Sequence, residues 1–192
     1  VLPKKHSERL LPVVKDLLSK KKMLPKDLDA IAVSRGPGSF TGIRLACSFS
    51  QGLMYSSNIK GIGVNSLEVL SKNIHTRFNP KKIVVLIDAQ MGNLYKGVFN
   101  YEQNILVSSS RTIISAEKVN LMEYNKETFF VGSGCKLIRQ EIEDLSENIF
   151  DEFPNARDLL SISIQKYLDG IFLKPEELLP VYLTDETYWK TS

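Results

Sequence analysis

The sequence predicts an α/β fold assembled from two related halves, on three observations. Short apolar strands alternate with helical patterns along all 192 residues. The order of elements nearly repeats after the break "NPKK" at 79 to 82. Each half also carries a strand that runs into glycines and then a helix, "IAVSRGPGSFTG" in the first and "FFVGSGCKLI" in the second.

The elements follow in chain order. Residues 7 to 22 read as a helix, with Leu10, Val13, Val14, Leu17 and Leu18 on one face and Arg9, Lys15, Asp16 and Ser19 opposite. "LDAIAV" (28 to 33) is a buried strand, 40 to 57 a second helix, "IKGIGV" (59 to 64) a short strand, and 66 to 77 a third helix capped by Asn65 or Ser66. Beyond the break, "IVVLIDA", "LYKGVFNY" and "ILVSSSRTI" form an antiparallel meander joined by tight turns. A helix is expected near 115 to 123, then the strand "TFFVGSG", then helices near 136 to 147 and 156 to 169, and an extended run "LLPVYL" at 178 to 183. The halves divide as 1–80 and 81–192. The first lacks a three-strand meander at its front and the chain opens on Val1, so an N-terminal segment is expected to be missing from it.

Bulk composition narrows the function classes. Lys plus Arg number 25 and Asp plus Glu 22, a net charge of +3, which does not by itself argue for nucleic-acid binding. The clusters Lys4-Lys5 and Lys20-Lys21-Lys22 read as solvated helix ends. Cys47 and Cys135 lie far apart without a CxxC, as reduced thiols of a cytoplasmic protein would. His6 and His75 are the only histidines, which excludes a multi-histidine metal site. No apolar run reaches membrane-spanning length, and no membrane partner is expected. Asp88, ending a strand before "AQMGN", reads as a turn starter, with a phosphate-handling carboxylate as the alternative.

The segment "SRGPGSFTGIRLA" (34 to 46) needs its own account. It is no P-loop, since Gly38 to Gly42 is one residue short and Ile43 stands where a lysine would hold phosphate. The spacing also fails the dinucleotide fingerprint, and Pro37 before Ser39 rules out a nucleophile elbow. Two readings remain: a tight turn with Ser39 capping the next helix, or an anion or nucleotide contact at Gly38, Ser39 and Thr41. The helix that follows is apolar or small over more than half its circumference, whereas a helix lying on one sheet needs a stripe of only about 100°. It is therefore covered on two sides, either by the helix at 7 to 22 or by a second protein. The expected partner interface comprises Leu11, Val14 and Leu18 from the first helix. From the second it comprises Ile43, Leu45, Ala46, Phe49, Ser50 and Leu53.

"HSERLLP" (6 to 12), "GPGSFTGIRLA" (36 to 46), "IDAQMGNLYKGVF" (87 to 99) and "LPVYL" (179 to 183) together resemble the TsaB family of bacterial tRNA threonylcarbamoyladenosine biosynthesis proteins. The resemblance spans nearly the whole chain. It implies the actin-like (ASKHA, ribonuclease H-like) two-lobed fold, with the first lobe's opening meander missing. It further implies a non-catalytic scaffold or activator that forms a heterodimer with a TsaD-like transferase modifying adenosine 37 of tRNA, and that meets a TsaE-like ATPase and tRNA only through the complex. The transferase subunit holds a metal on a His-x-x-x-His pair; here the matching stretch is His6 to Leu10, so the second ligand is a leucine. No intrinsic cofactor is expected, with ATP or ADP placed at the complex interface, and a homodimer is expected in the partner's absence. The rival expectations are a peptidase or hydrolase of the glycoprotease-like group and an actin-fold kinase.

Overall fold

The architecture is that of a computed structural model, which describes residues 6–183. Its elements are α1 (His6–Lys20), β1 (Ala30–Ser34), α2 (Phe40–Ser57), β2 (Lys60–Val64), α3 (Ser66–Phe78), β3 (Lys82–Gln90), β4 (Asn93–Glu102), β5 (Ile105–Ser115), β6 (Phe129–Val131), α4 (Arg139–Glu143), β7 (Ile149–Phe150) and α5 (Ala156–Leu168). Two sheets result: β1 and β2 pair in parallel, and the second sheet runs β5-β4-β3-β6-β7. In the larger sheet β3, β4 and β5 are antiparallel, while β6 joins β3 and β7 joins β6 in parallel.

The continuous apolar run of β3 is explained by its central place. Ile83, Val85 and Ile87 point into one core with Leu67, Leu70 and Ile74 of α3, together with Phe99 and Val131. Val84 and Leu86 point into the other, with Leu94, Phe130, Cys135, Ile138 and Ile142. A strand buried on both faces has no polar alternation to show. Around the smaller sheet, Val33, Met54, Ile59 and Leu178 form a third core under α2. Ile62, Val64 and Val69 form a fourth with Leu159 and Ile162 of α5.

The two halves trade helices. α3, which precedes β3, lies on the larger sheet, and α5, which follows β7, lies on β1 and β2. Asn73 of α3 donates to Asp158 of α5 at 2.7 Å, and Lys166 of α5 donates to the Gly63 carbonyl at 3.0 Å. Each sheet is therefore covered in part by a helix from the other half of the chain.

Two expected helices differ. Residues 115 to 123 form two short 3-10 turns, Ala116–Lys118 and Leu121–Glu123, because Asn120 turns its side chain onto the Met122 amide and caps the second turn. Residues 136 to 147 split into a 3-10 turn, Cys135–Ile138, and the short α4. Ser146 donates to the carbonyls of Lys126 and Thr128, tying the chain back toward β6 where the helix was expected to continue.

His75 lies buried between α3 and β4, its ring stacked on Tyr101 with centroids 3.7 Å apart and its Nδ1 unpaired. Burial, aided by the Lys72 charge, pushes its pKa below the ordinary value. The unfolded chain thus binds the proton that the folded chain refuses, and stability falls as pH drops below about 6.5, the unperturbed value, toward the depressed one. His75→Phe is expected to flatten that stretch of the stability–pH curve, measured by urea melts; an unchanged slope would place the acid sensitivity elsewhere.

Candidate functional site

The glycine turn launches α2. Ser39 caps the helix, its Oγ accepting from the Gly42 amide at 3.3 Å. Gly36 has φ +104°, where an L side chain is strained, and the Gly36–Pro37 bond is cis. A Cβ on Gly36 would lie 2.9 Å from Ile43 Cδ1 and 3.0 Å from the Val181 carbonyl oxygen. The turn is stitched on both sides: Arg35 N–H donates to Val64 O, Ser66 N–H to Gly36 O, and Val181 N–H to Arg35 O, each at 2.8 Å. Ser39 and Thr41 are exposed and Gly38 is half-buried.

Above the turn sits a cluster that sequence reasoning missed. The Arg44 guanidinium lies 3.5 Å from the Phe40 ring centroid, and its Nε donates to the Tyr182 hydroxyl at 2.7 Å. The Phe40–Arg44 spacing of one helical turn was legible. The arrival of Tyr182 from the other end of the chain was not.

The two-helix face is rearranged relative to expectation. On α1, Leu11, Val13 and Leu17 are exposed, Leu17 at 63%, while Leu10, Val14 and Leu18 are half-buried. The open stripe is thus rotated, with Val13 and Leu17 in place of Val14 and Leu18. On α2, Ser50 is buried at 3% beside Cys47 and Met54 and faces its own core. Ala46 and Leu53 pack against the core beneath the helix, and Ile43 lies under Gly36. Ser50 therefore belongs to the fold's interior face, and Ile43, Ala46 and Leu53 are half-buried, with one side of each taken up by β1, β2 and the residues after α5. Leu45 and Phe49 are half-buried, and Phe40 and Tyr55 are exposed at 60% and 68%. Among the described residues α1 packs only loosely on its neighbours.

Other sequence candidates resolve simply. Asp88 accepts from the Gln90 amide at 2.8 Å and pairs with Lys136 at 3.4 Å, which is turn chemistry. Burial pushes the Cys47 thiol above its usual range and the Cys135 thiol up to about 12, so neither supplies a thiolate. His6 heads α1, and its side chain lies outside the described residues, as do Lys4 and Lys5. Among the described residues, no three His, Cys, Asp or Glu side chains converge as a metal site would require.

A profile of the family described as TsaD, tRNA N6-adenosine threonylcarbamoyltransferase, matches residues 1–165. The tRNA threonylcarbamoyladenosine biosynthesis protein TsaB of Escherichia coli K12 is 29% identical, the match covering 98% of this chain and 84% of that protein. The TsaB protein of Buchnera aphidicola subsp. Schizaphis graminum is 31% identical over 82% of this chain and 77% of its own length.

The chain belongs to the TsaB family.

The solved structure of YeaZ from Pseudomonas aeruginosa superposes with a TM-score of 0.79 at 31% identity, covering 95% of this chain and 86% of that one. The fold is therefore the actin-like one that the TsaB resemblance implied. In this TsaB-family chain no helix among the described residues is long and apolar enough to cross a membrane.

Proposed function

We propose that this chain works in tRNA threonylcarbamoyladenosine biosynthesis as a non-catalytic subunit that docks a TsaD-like transferase through α1 and the outer side of α2. The carrying observation is the exposed apolar pair Val13 and Leu17, one helical turn apart on a loosely packed helix, with Leu11 exposed on the other flank of its half-buried face. Large aliphatic side chains left in water one turn apart are worth burying, by about 1.5–3 kcal/mol each when fully covered. The partner brings the metal, the transfer chemistry and adenosine 37 of the tRNA; the TsaE-like ATPase and the tRNA meet this chain only through the complex. ATP or ADP is placed at the complex interface, and the work is done in the cytoplasm. Without the partner, the same stripe can pair with a second copy in an isologous dimer.

The rival readings fare worse on geometry. A peptidase needs an activated nucleophile, but Ser39 Oγ serves as a helix cap and His75 is committed to Tyr101. A kinase needs phosphate-cradling turns, but the amides of Arg35 and Val181 around the glycine turn are spent on backbone carbonyls.

The test is reconstitution. Purified alone, the chain is expected to leave tRNA and peptides unchanged, and with the TsaD-like subunit to bind in calorimetry and support modification. Turnover by the isolated chain that Ser39→Ala abolishes would support the hydrolase reading.

A further inference from the structure

The glycine turn already has an occupant: the chain's own C-terminal stretch. Leu178 is completely buried in the core under α2 with Val33, Met54 and Ile59. The next residues cross the turn. Arg35 Nε donates to the Leu179 carbonyl at 2.6 Å, Val181 N–H donates to Arg35 O at 2.8 Å, and the Val181 carbonyl rests on Gly36 where a side chain would otherwise stand. Tyr182 then receives the Arg44 hydrogen bond. Leu183 packs against the core formed by α3 and the larger sheet. Six residues therefore begin in the core of one half, cross the glycine turn, and end against the core of the other.

We propose that residues 178–183 form a clasp that holds the two halves in one relative orientation and sets the N-terminal turn of α2, with the glycine turn as its receptor. Three features point this way. Gly36 must be glycine because of the clasp's carbonyl and its own positive φ, a close backbone approach of the kind otherwise used for a phosphate. The same Gly36 offers its carbonyl to the Ser66 amide at the start of α3, so clasp, turn and the helix carried to the other half are in direct sequence. Arg44, the link between clasp and α2, lies one turn into that helix. Whatever seats or lifts residues 179–183 is thereby felt at Phe40 and Arg44, at the end of α2 beside the docking face; this last step rests on the docking reading above.

The experiment is hydrogen exchange on the isolated full chain, with the double variant Tyr182→Ala/Leu183→Ala, and with Gly36→Ala as an approach from the receptor side. In the double variant the amides of Val181, Ser66 and Gly42 are expected to exchange about tenfold faster or more, the effect of losing roughly one hydrogen bond's stabilisation. Amides of β3 and β6 should keep their protection. Wild-type exchange at Ser66 and Gly42 in the double variant would overturn the clasp, even if Val181 itself is freed. Gly36→Ala should reproduce the pattern if it folds. Calorimetry with the TsaD-like subunit then separates the two ideas. Faster exchange with about tenfold weaker binding supports the clasp and its link to docking. Faster exchange with unchanged binding removes the link. A wild-type chain that fails to bind removes the docking reading and leaves the exchange result to judge the clasp.

Discussion

Leu17→Asp in α1 is expected to abolish measurable docking while leaving the melting temperature unchanged. Leu17 is 63% exposed in the isolated chain, so the new carboxylate stays in water and the fold loses little. In a complex that buries the stripe, the same carboxylate would be taken out of water among apolar groups. Such a change at an interface core costs about 3 kcal/mol or more, some two orders of magnitude in Kd. The measurement is titration calorimetry paired with a thermal melt. Wild-type affinity in a folded Leu17→Asp chain would show that the partner does not use α1. Phe49→Asp is the less clean probe, because Phe49 is half-buried in the isolated chain and its change touches folding as well.

The second large effect concerns the fold. Gly132, between β6 and the Cys135–Ile138 turn, has φ +119°, and a Cβ there would be driven into the Leu86 carbonyl of the central strand. The residue cannot retreat easily, since its amide donates to Phe150 O at 2.9 Å and its carbonyl accepts from Cys135 N–H at 3.1 Å. Gly132→Ala is expected to cost about 3 kcal/mol or more, from backbone strain plus displacement of a packed strand. For a chain of this size that corresponds to a drop of about 6–12 °C in Tm. Gly92→Ala is the matched control: φ is +76° but the space around it is open, so the cost should stay near 1 kcal/mol. Equal melting of the two variants would mean that the β3–β6 approach is looser than the geometry states.

The caps of α2 and α3 illustrate what local pattern carries. Ser39 and Asn65 cap α2 and α3 as their side-chain chemistry requires, their oxygens accepting from Gly42 and Leu67 amides. Helix α2 begins and ends where its pattern does, and the meander of β3, β4 and β5 follows from alternation and short turns. These features depend on hydrogen bonds closed within a few residues, so neighbouring residue types are enough to specify them.

Burial identity is a different kind of information. The wide apolar arc of α2 announced two covered sides, but it did not say that the chain itself buries Ser50 and takes up one side of Ile43, Ala46 and Leu53. Periodicity reports that a side chain leaves water, not what it meets, because apolar attraction is non-directional. The same limit hid the open stripe of α1, where Val13 and Leu17 rather than Val14 and Leu18 remain in water. Expected helices at 115 to 123 and 136 to 147 gave way where Asn120 and Ser146 found partners that compete with helical hydrogen bonding.

By itself, the sequence determined the two-half α/β plan, the caps, the central buried strand and the family to which the chain belongs. Tertiary structure alone decided the exchange of α3 and α5 between sheets, the exposed face of α1, and the seating of Leu178 to Leu183 across the glycine turn. The reason is chain separation. Gly36 meets Val181, and Arg44 meets Tyr182, only after both cores have formed, and no local pattern records a contact between the two ends of a chain.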